Sequence, residues 1–192
     1  SWIDAYSQKG RGVVTAGNHA FQKGPLMVQK KKRVSVPFLL PSVFVHPLVV
    51  NLFNLIYYTF AREGRHVVHY DSFFYPLDAV RGWNKVYGKN GFTQYQCVIP
   101  LEEAREGVRE MLALLRDAQM GSFLTVLKRF GREEGMLSFP REGYTLAVDI
   151  PVREKTRGVV HALDAVVLRR KGRVYLAKDA FSCREVFVQG YP

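Results

Sequence analysis

The sequence predicts an α+β fold in which one antiparallel sheet carries helices on a single face. Three observations lead there: apolar residues alternate in short runs, two longer runs repeat with helical spacing, and glycine or proline punctuates the junctions between them. The chain has 192 residues, 47% of them hydrophobic, which suffices for one core-bearing domain.

Residues 92–99 (FTQYQCVI) read as a strand. Residues 101–115 place Leu101, Ala104, Val108, Met111, Leu112 and Leu115 along one helical face, with Glu and Arg interleaved on the other. A second strand, 123–130, ends at Gly131. A loop through Gly135 and Pro140 then leads to a third strand, 144–150, stopped by Pro151. A second helix follows, carrying Val160, Leu163 and Val167 at helical spacing and closed by Gly172. Residues 173–177 complete the pattern as a fourth short strand. The order βαββαβ is the ferredoxin-like arrangement, whose sheet buries one face under two helices and leaves the other open.

Ahead of this core lies a helical and irregular N-terminal extension. Residues 13–16 read as a strand that Gly17 and Asn18 turn. The run 34–61 is free of Lys, Arg, Asp and Glu but is interrupted by Pro37, Pro41 and Pro47. Its unbroken part, 48–61, is shorter than the roughly 20 residues a bilayer helix needs, so it reads as a buried or interfacial helix. The neighbouring KKKR at 30–33 would hold such a helix on anionic lipid. Ser1 stands where an initiator methionine is expected and WIDAYS opens inside a structured-looking segment, which reads as an excised piece of a longer polypeptide.

Charge and motifs narrow the functional classes. Lys and Arg number 28 against 17 Asp and Glu, a net +11, with the excess concentrated at 23–33 and 169–173. That balance calls for an anionic partner such as a phosphate-bearing substrate or an anionic lipid surface. No zinc-finger spacing, RNA-recognition signature or helix-turn-helix pattern points to nucleic acid. Cys97 and Cys183 form no CxxC pair and read as ordinary thiols of a reducing, cytoplasmic compartment. Neither G-x-G-x-x-G, a Walker loop, HExxH nor a metal-spaced cluster occurs, and the five histidines are scattered.

The chemistry-bearing residues emerge from strand alternation. Gln94 and Gln96 fall on one face with Phe92 and Val98. Packed under the helices, each amide would cost about 1–3 kcal/mol if left unsatisfied, so this face is expected to be the open one. By the same reasoning Lys128 joins Leu124, Val126 and Phe130, while Thr145, Ala147 and Asp149 lie opposite Leu146 and Val148. Such a wall offers amide and ammonium donors among apolar groups, which suits a sugar phosphate with an apolar tail. Spacing alone also allows plainer roles: Lys128 as a solvated edge lysine, Lys178 as a surface partner of Asp179, and Trp2 as a core aromatic.

The segment FFYPLDAVRGWNKVYGKNGFTQYQCVIP (73–100), followed in collinear order by SFLTVLKRFG (122–131), LSFPREGYTLAVDIP (137–151) and VYLAKD (174–179), resembles one enzyme family over most of the chain. That family is the FAD-linked oxidases of the vanillyl-alcohol oxidase group, of the decaprenylphosphoryl-ribose 2-oxidase type. The resemblance implies a substrate-binding (cap) domain that covers FAD. In the full-length protein, a secondary alcohol of a sugar, a polyprenylphosphoryl ribose or similar, would become a ketone by hydride transfer to the flavin. Carried over by motif, Gln94 and Gln96 of QYQ, Lys128 of VLK and Lys178 of AKD line the substrate site, with Lys178 the catalytic and flavin-contacting residue. Trp2 of WID and Phe130 shape the apolar wall. Thr145 and Ala147 stand where the family has asparagine and cysteine, and Phe74 where it has tyrosine. The pocket is therefore expected to be less polar, and insensitive to inhibitors that need that cysteine.

The resemblance also sets an expected organisation: 1–91 as the N-terminal part of the substrate domain, 92–192 as its ferredoxin-like core, and the flavin-binding domain of the same polypeptide outside this chain. FAD is then not expected to be held by this chain alone, nor the isolated chain to be active. A short-chain reductase returning the ketone as its epimer, and a membrane surface contacted peripherally, are the further expected partners. Two alternatives stay open. One is an FAD-linked oxidase of another sugar, aldonolactone or hydroxy acid; the other is a non-catalytic basic module that docks on anionic lipid through 30–33 and 169–173.

Overall fold

The computed structural model describes residues 1–21, 33–133 and 135–191. The first half supplies β1 (Trp2–Ile3), β2 (Gly12–Val13), β3 (Val34–Ser35), α1 (Pro47–Thr59), α2 (Tyr70–Phe74) and β4 (Val80–Arg81), with 3₁₀ turns that include Trp83–Tyr87. The second half supplies β5 (Phe92–Pro100), α3 (Leu101–Asp117), β6 (Thr125–Phe130), β7 (Gly143–Pro151), α4 (Thr156–Arg169), β8 (Arg173–Val174) and α5 (Arg184–Gly190). The main sheet runs β2-β1-β6-β7-β5-β8, and β3 and β4 form a separate parallel pair.

The four strands β8-β5-β7-β6 are mutually antiparallel neighbours in the order 4-1-3-2 of the ferredoxin-like fold. Their alternation sends Tyr95, Cys97 and Ile99 of β5 and Leu146, Val148 and Ile150 of β7 to one side. There they pack with Met111 and Leu115 of α3 and Leu163 and Val167 of α4. Burial of each such large side chain contributes about 1.5–3 kcal/mol. Glu102 and Glu103 in the first turn of α3, and Arg116 in its last, complement the helix dipole. One polar pair crosses this core: the Tyr95 hydroxyl donates to Asp164 Oδ1 at 2.8 Å, and burial raises the pKa of both groups. Burial likewise pushes the Cys97 thiol up to about 12, while Cys183 is exposed.

The α+β, ferredoxin-like expectation is met, and the differences are local. The fourth strand was expected over 173–177 but ends at Val174. Tyr175 N–H still donates to the Gln96 carbonyl at 2.8 Å, after which the chain tightens into the 3₁₀ turn Leu176–Lys178. The second strand starts at Thr125 rather than at 123, because the Ser122 hydroxyl accepts from Leu124 N–H and holds a turn there. The N-terminal strand lies at Gly12–Val13, one residue or more before the expected 13–16, since its partner Trp2–Ile3 sets the register. The helix expected over 48–61 forms as Pro47–Thr59, started by Pro47 and by His46, whose side chain accepts from Leu48 N–H. Of its residues only Val50 and Asn54 are buried. Helix α5 carries no signal strong enough to separate it from a loop in the sequence.

The open face is also less open than alternation suggests. Tyr87 stacks on Phe92 at 4.4 Å and, with Val45, Val50 and Phe123, builds a second small core. Residues of the first half thus cover one end of the sheet and add β1 and β2 to its edge.

Two glycines test this packing in opposite directions. A Cβ at Gly143, in the β5–β7 ladder, would be driven into the Ile99 carbonyl, whereas a Cβ at Gly158 of α4 meets nothing within 4 Å. Gly143→Ala is expected to destabilise the chain by about 1–3 kcal/mol, and Gly158→Ala to stabilise it by about 0.5–1 kcal/mol. Urea unfolding of both variants checks the signs.

Candidate functional site

Register brings the site together. Gln94 lies directly across from Asp149, and Gln96 across from Ala147; the latter row continues through Val126 to Trp2. In the next row Val98 faces Thr145, which faces Lys128, and beyond it Gly143 faces Phe130. Directly opposed residues share a face, so all of these lie on the side away from α3 and α4.

Hydrogen bonds fix both amides. Gln94 Nε2 donates to Asp149 Oδ1 at 2.8 Å, which presents its Oε1 as the acceptor end. Gln96 Nε2 donates to Thr145 Oγ1 at 3.1 Å, and Lys178 Nζ donates to Gln96 Oε1 at 2.9 Å. The shortened fourth strand is what allows this last contact. Leaving the sheet at Tyr175, the chain swings Lys178 back over β5 instead of continuing along the edge. Lys128 is exposed beside this group, and Ala147 is half-buried in the Gln96 row.

Asp149 is the hub. It is 1% exposed and also accepts from Trp83 Nε1 at 2.7 Å and from the Tyr87 hydroxyl at 3.4 Å. Burial raises its pKa, although Trp83, Gln94, the Lys178 charge and Tyr87 all pull it down. Lys178 is shifted the other way: burial lowers its pKa, the Asp149 carboxylate opposes that, and Lys128 adds to it. Sequence reasoning placed Asp149 on this face but gave it no role. Its partners come from WNKVY, a 3₁₀ turn framed by Gly82 (φ 71°) and Gly88 (φ 69°). Those two glycines in a short aromatic segment were the available signal, since left-handed backbone favours glycine.

Aromatic groups wall the row. Phe130 meets Phe139 edge-on at 5.9 Å, and Phe139 stacks on Tyr175 at 4.5 Å. Lys178 Nζ lies 5.9 Å from the Tyr175 ring centroid. Trp2 donates from Nε1 to the Phe123 carbonyl at 2.9 Å and tilts against Tyr57 at 4.7 Å, so it is anchored within the wall. Phe74 stands apart: it is 53% exposed on α2, and its ring partners, Phe73 and Tyr75, belong to its own segment.

Of the basic clusters, Lys30 to Lys32 lie outside the described residues. The 169–173 cluster is largely occupied: Arg169 pairs with Glu110, Arg170 with Glu103 at 3.0 Å and Glu110 at 3.3 Å, and Arg173 donates to the Ser138 carbonyl at 2.6 Å. Among the described residues no group of three or more His, Cys, Asp or Glu side chains is placed to hold a metal ion, and no helix is long and apolar enough to cross a membrane.

No family model matches the chain. Comparison with curated proteins does find a relative: decaprenylphosphoryl-β-D-ribose oxidase of Mycolicibacterium smegmatis, 32% identical over an alignment of 208 positions that takes in the whole chain. The chain is homologous to that oxidase along its entire length. It spans 44% of the relative's own length. The motif resemblance is thereby borne out, and the amide row, Lys178 and the aromatic wall can be read against an oxidase relative.

The Lys178–Asp149 coupling has a measurable consequence. Side-chain NMR titration should give Lys178 a midpoint below that of an ordinary lysine, and Asp149→Asn should lower it further by removing the charge that raises it. Because the folded chain then binds fewer protons than the unfolded one, stability contributed through this group rises as pH climbs through that window. An unchanged or higher midpoint in Asp149→Asn would contradict the coupling.

Proposed function

We propose that this chain is the substrate-binding part of an FAD-dependent oxidoreductase that oxidises a secondary alcohol of a sugar to a ketone. The reading is carried by one observation: a half-buried ammonium, Lys178, is tied by Gln96 to a row of oriented amides on a sheet face walled by aromatic rings. Homology to an oxidase named for decaprenylphosphoryl ribose supports the same reading and suggests a polyprenylphosphoryl ribose or a close analogue as substrate. On this proposal, 92–192 is the core of the substrate domain, 1–91 its N-terminal part, and the flavin is held mainly by residues of the same polypeptide outside this chain.

The residues present fit such a reaction. Flavin, when bound, supplies the hydride acceptor. Lys178, whose Nζ is positioned by Gln96 Oε1, hydrogen-bonds the reacting hydroxyl oxygen and stabilises the negative charge that develops as hydride leaves the carbinol carbon. The hydroxyl proton passes to solvent. Gln94, oriented by Asp149, accepts from a neighbouring sugar hydroxyl. Exposed Lys128 offers a cation to the phosphate, and Trp2, Phe130 and Ala147 form the apolar wall along which the tail lies. Thr145 is buried and its Oγ1 accepts from Gln96 Nε2, so the position orients that amide rather than contacting ligand directly.

The test is absorbance of the oxidised flavin in the complete polypeptide under anaerobic conditions, as a polyprenylphosphoryl ribose analogue is added. Rapid bleaching is expected, slowed about 10²–10³-fold by Lys178→Ala, the scale of a lost charge-stabilising donor. Bleaching by free sugars or hydroxy acids alone would move the substrate class; bleaching indifferent to Lys178→Ala would remove Lys178 from the chemistry.

A further inference from the structure

Helix α1 is built inside out. At about 3.6 residues per turn, Val50 and Asn54 share one face while Leu48, Leu52, Leu55 and Ile56 share the opposite one. The structure buries the first face, in which Asn54 Nδ2 donates to Asp4 Oδ1 at 2.9 Å and to the Ser122 carbonyl at 3.2 Å. The aliphatic stripe points outward instead, with Leu48 74%, Leu52 58%, Leu55 43% and Ile56 49% exposed, and Phe60 just beyond the helix at 79%. A helix docked on its own protein normally turns such a stripe inward, so a stripe held outward by buried amide hydrogen bonds marks a surface meant for something else.

The chemistry of the rim identifies the occupant. Residues 34–61 contain no Lys, Arg, Asp or Glu, and the segment then continues with Arg62, Glu63 and Arg65, all exposed, so that arginine outnumbers glutamate there. Tyr58, 42% exposed, stands between the stripe and the buried face, whereas Tyr57 packs inward on Trp2. An aliphatic stripe with adjacent guanidinium groups, on a chain of net +11, is complementary to an anionic bilayer surface, where such cations sit at headgroup level. At about 1.5 Å per residue, the 13 residues of α1 reach about 20 Å, short of a bilayer core of about 30 Å, so the helix lies along the surface.

We propose that α1 docks this protein on anionic membranes, lying flat with Leu48, Leu52, Leu55, Ile56 and Phe60 in the acyl boundary and Arg62 and Arg65 among the headgroups. The inference does not rest on the redox reading. It also differs from docking through the 169–173 cluster, whose arginines are engaged within the fold.

The test is co-sedimentation of the complete polypeptide with phosphatidylglycerol or phosphatidylcholine vesicles; binding by this chain alone that the complete polypeptide lacks would assign the face to the rest of that polypeptide and overturn the proposal. Expected is at least about tenfold stronger partition to the anionic vesicles at low salt, a preference that fades as salt screens the cations. Leu52→Glu/Ile56→Glu should lower partition at least about tenfold; both positions are exposed, so circular dichroism and the melting temperature should be unchanged. Arg62→Ala/Arg65→Ala should remove the anionic preference alone. In Leu52→Trp, bromolipid should quench the added emission above that of the unsubstituted chain. Absence of vesicle binding, binding indifferent to the double glutamate variant, or an unquenched Leu52→Trp would overturn the proposal. So would a self-associated chain that the double glutamate variant renders monomeric without any vesicle binding, which would assign the face to a second copy.

Discussion

The pairing of β5 with β7 is the constraint on which the rest of the structure depends. Nine consecutive residue pairs, from Phe92 with Pro151 to Pro100 with Gly143, lock one register. In that register every second residue enters the apolar core under α3 and α4, and the intervening ones form the row Gln94, Gln96, Asp149, Ala147 and Thr145. A slip of one residue would exchange the two sets, burying amides and a carboxylate among Met111, Leu115 and Leu163. The same force that makes the core therefore specifies the polar face, and neither can be altered without the other.

On that face Asp149 converts a strand position into an organising centre. Its two oxygens take donors from two directions: Gln94 within the sheet, and Trp83 with Tyr87 from the turn above it. A buried carboxylate with fewer donors would be costly, and with these three it ties the N-terminal half to the sheet while orienting the amide that faces outward. Tyr87 serves both sides of the arrangement, reaching Asp149 through its hydroxyl and stacking on Phe92 with its ring. The placement of the 3₁₀ turn Trp83–Tyr87 and the orientation of Gln94 are thus one structural event.

The N-terminal half follows a different economy from the core. Residues 92–191 use apolar burial in the ordinary sense, whereas α1 is attached through Asn54 and Val50 and shows its aliphatic side outward. Phe53 and Tyr57 bridge the two regimes, since Phe53 meets Phe123 edge-on at 5.1 Å and Tyr57 meets Trp2. The helix proposed to touch lipid is thereby joined through Trp2 to the wall of the proposed substrate face.

By itself the sequence determined the βαββαβ order, most of the main core under α3 and α4 (Leu101 and Leu112, placed on the same helical face, are only half-buried) and the face on which Gln94, Gln96, Lys128, Thr145 and Ala147 lie, because period-2 and helical periodicities are local properties of a chain. Its motifs also carried the family resemblance that the homology bears out. Only the tertiary structure decided that Lys178 leaves the strand to reach Gln96, that Asp149 gathers Trp83 and Tyr87, and that Phe74 lies on a helix of its own, exposed among its neighbours. It also decided which side of α1 faces out: periodicity alone would turn the aliphatic stripe inward, but a buried amide, Asn54, finds partners in Asp4 and Ser122 that lie far from it in the chain.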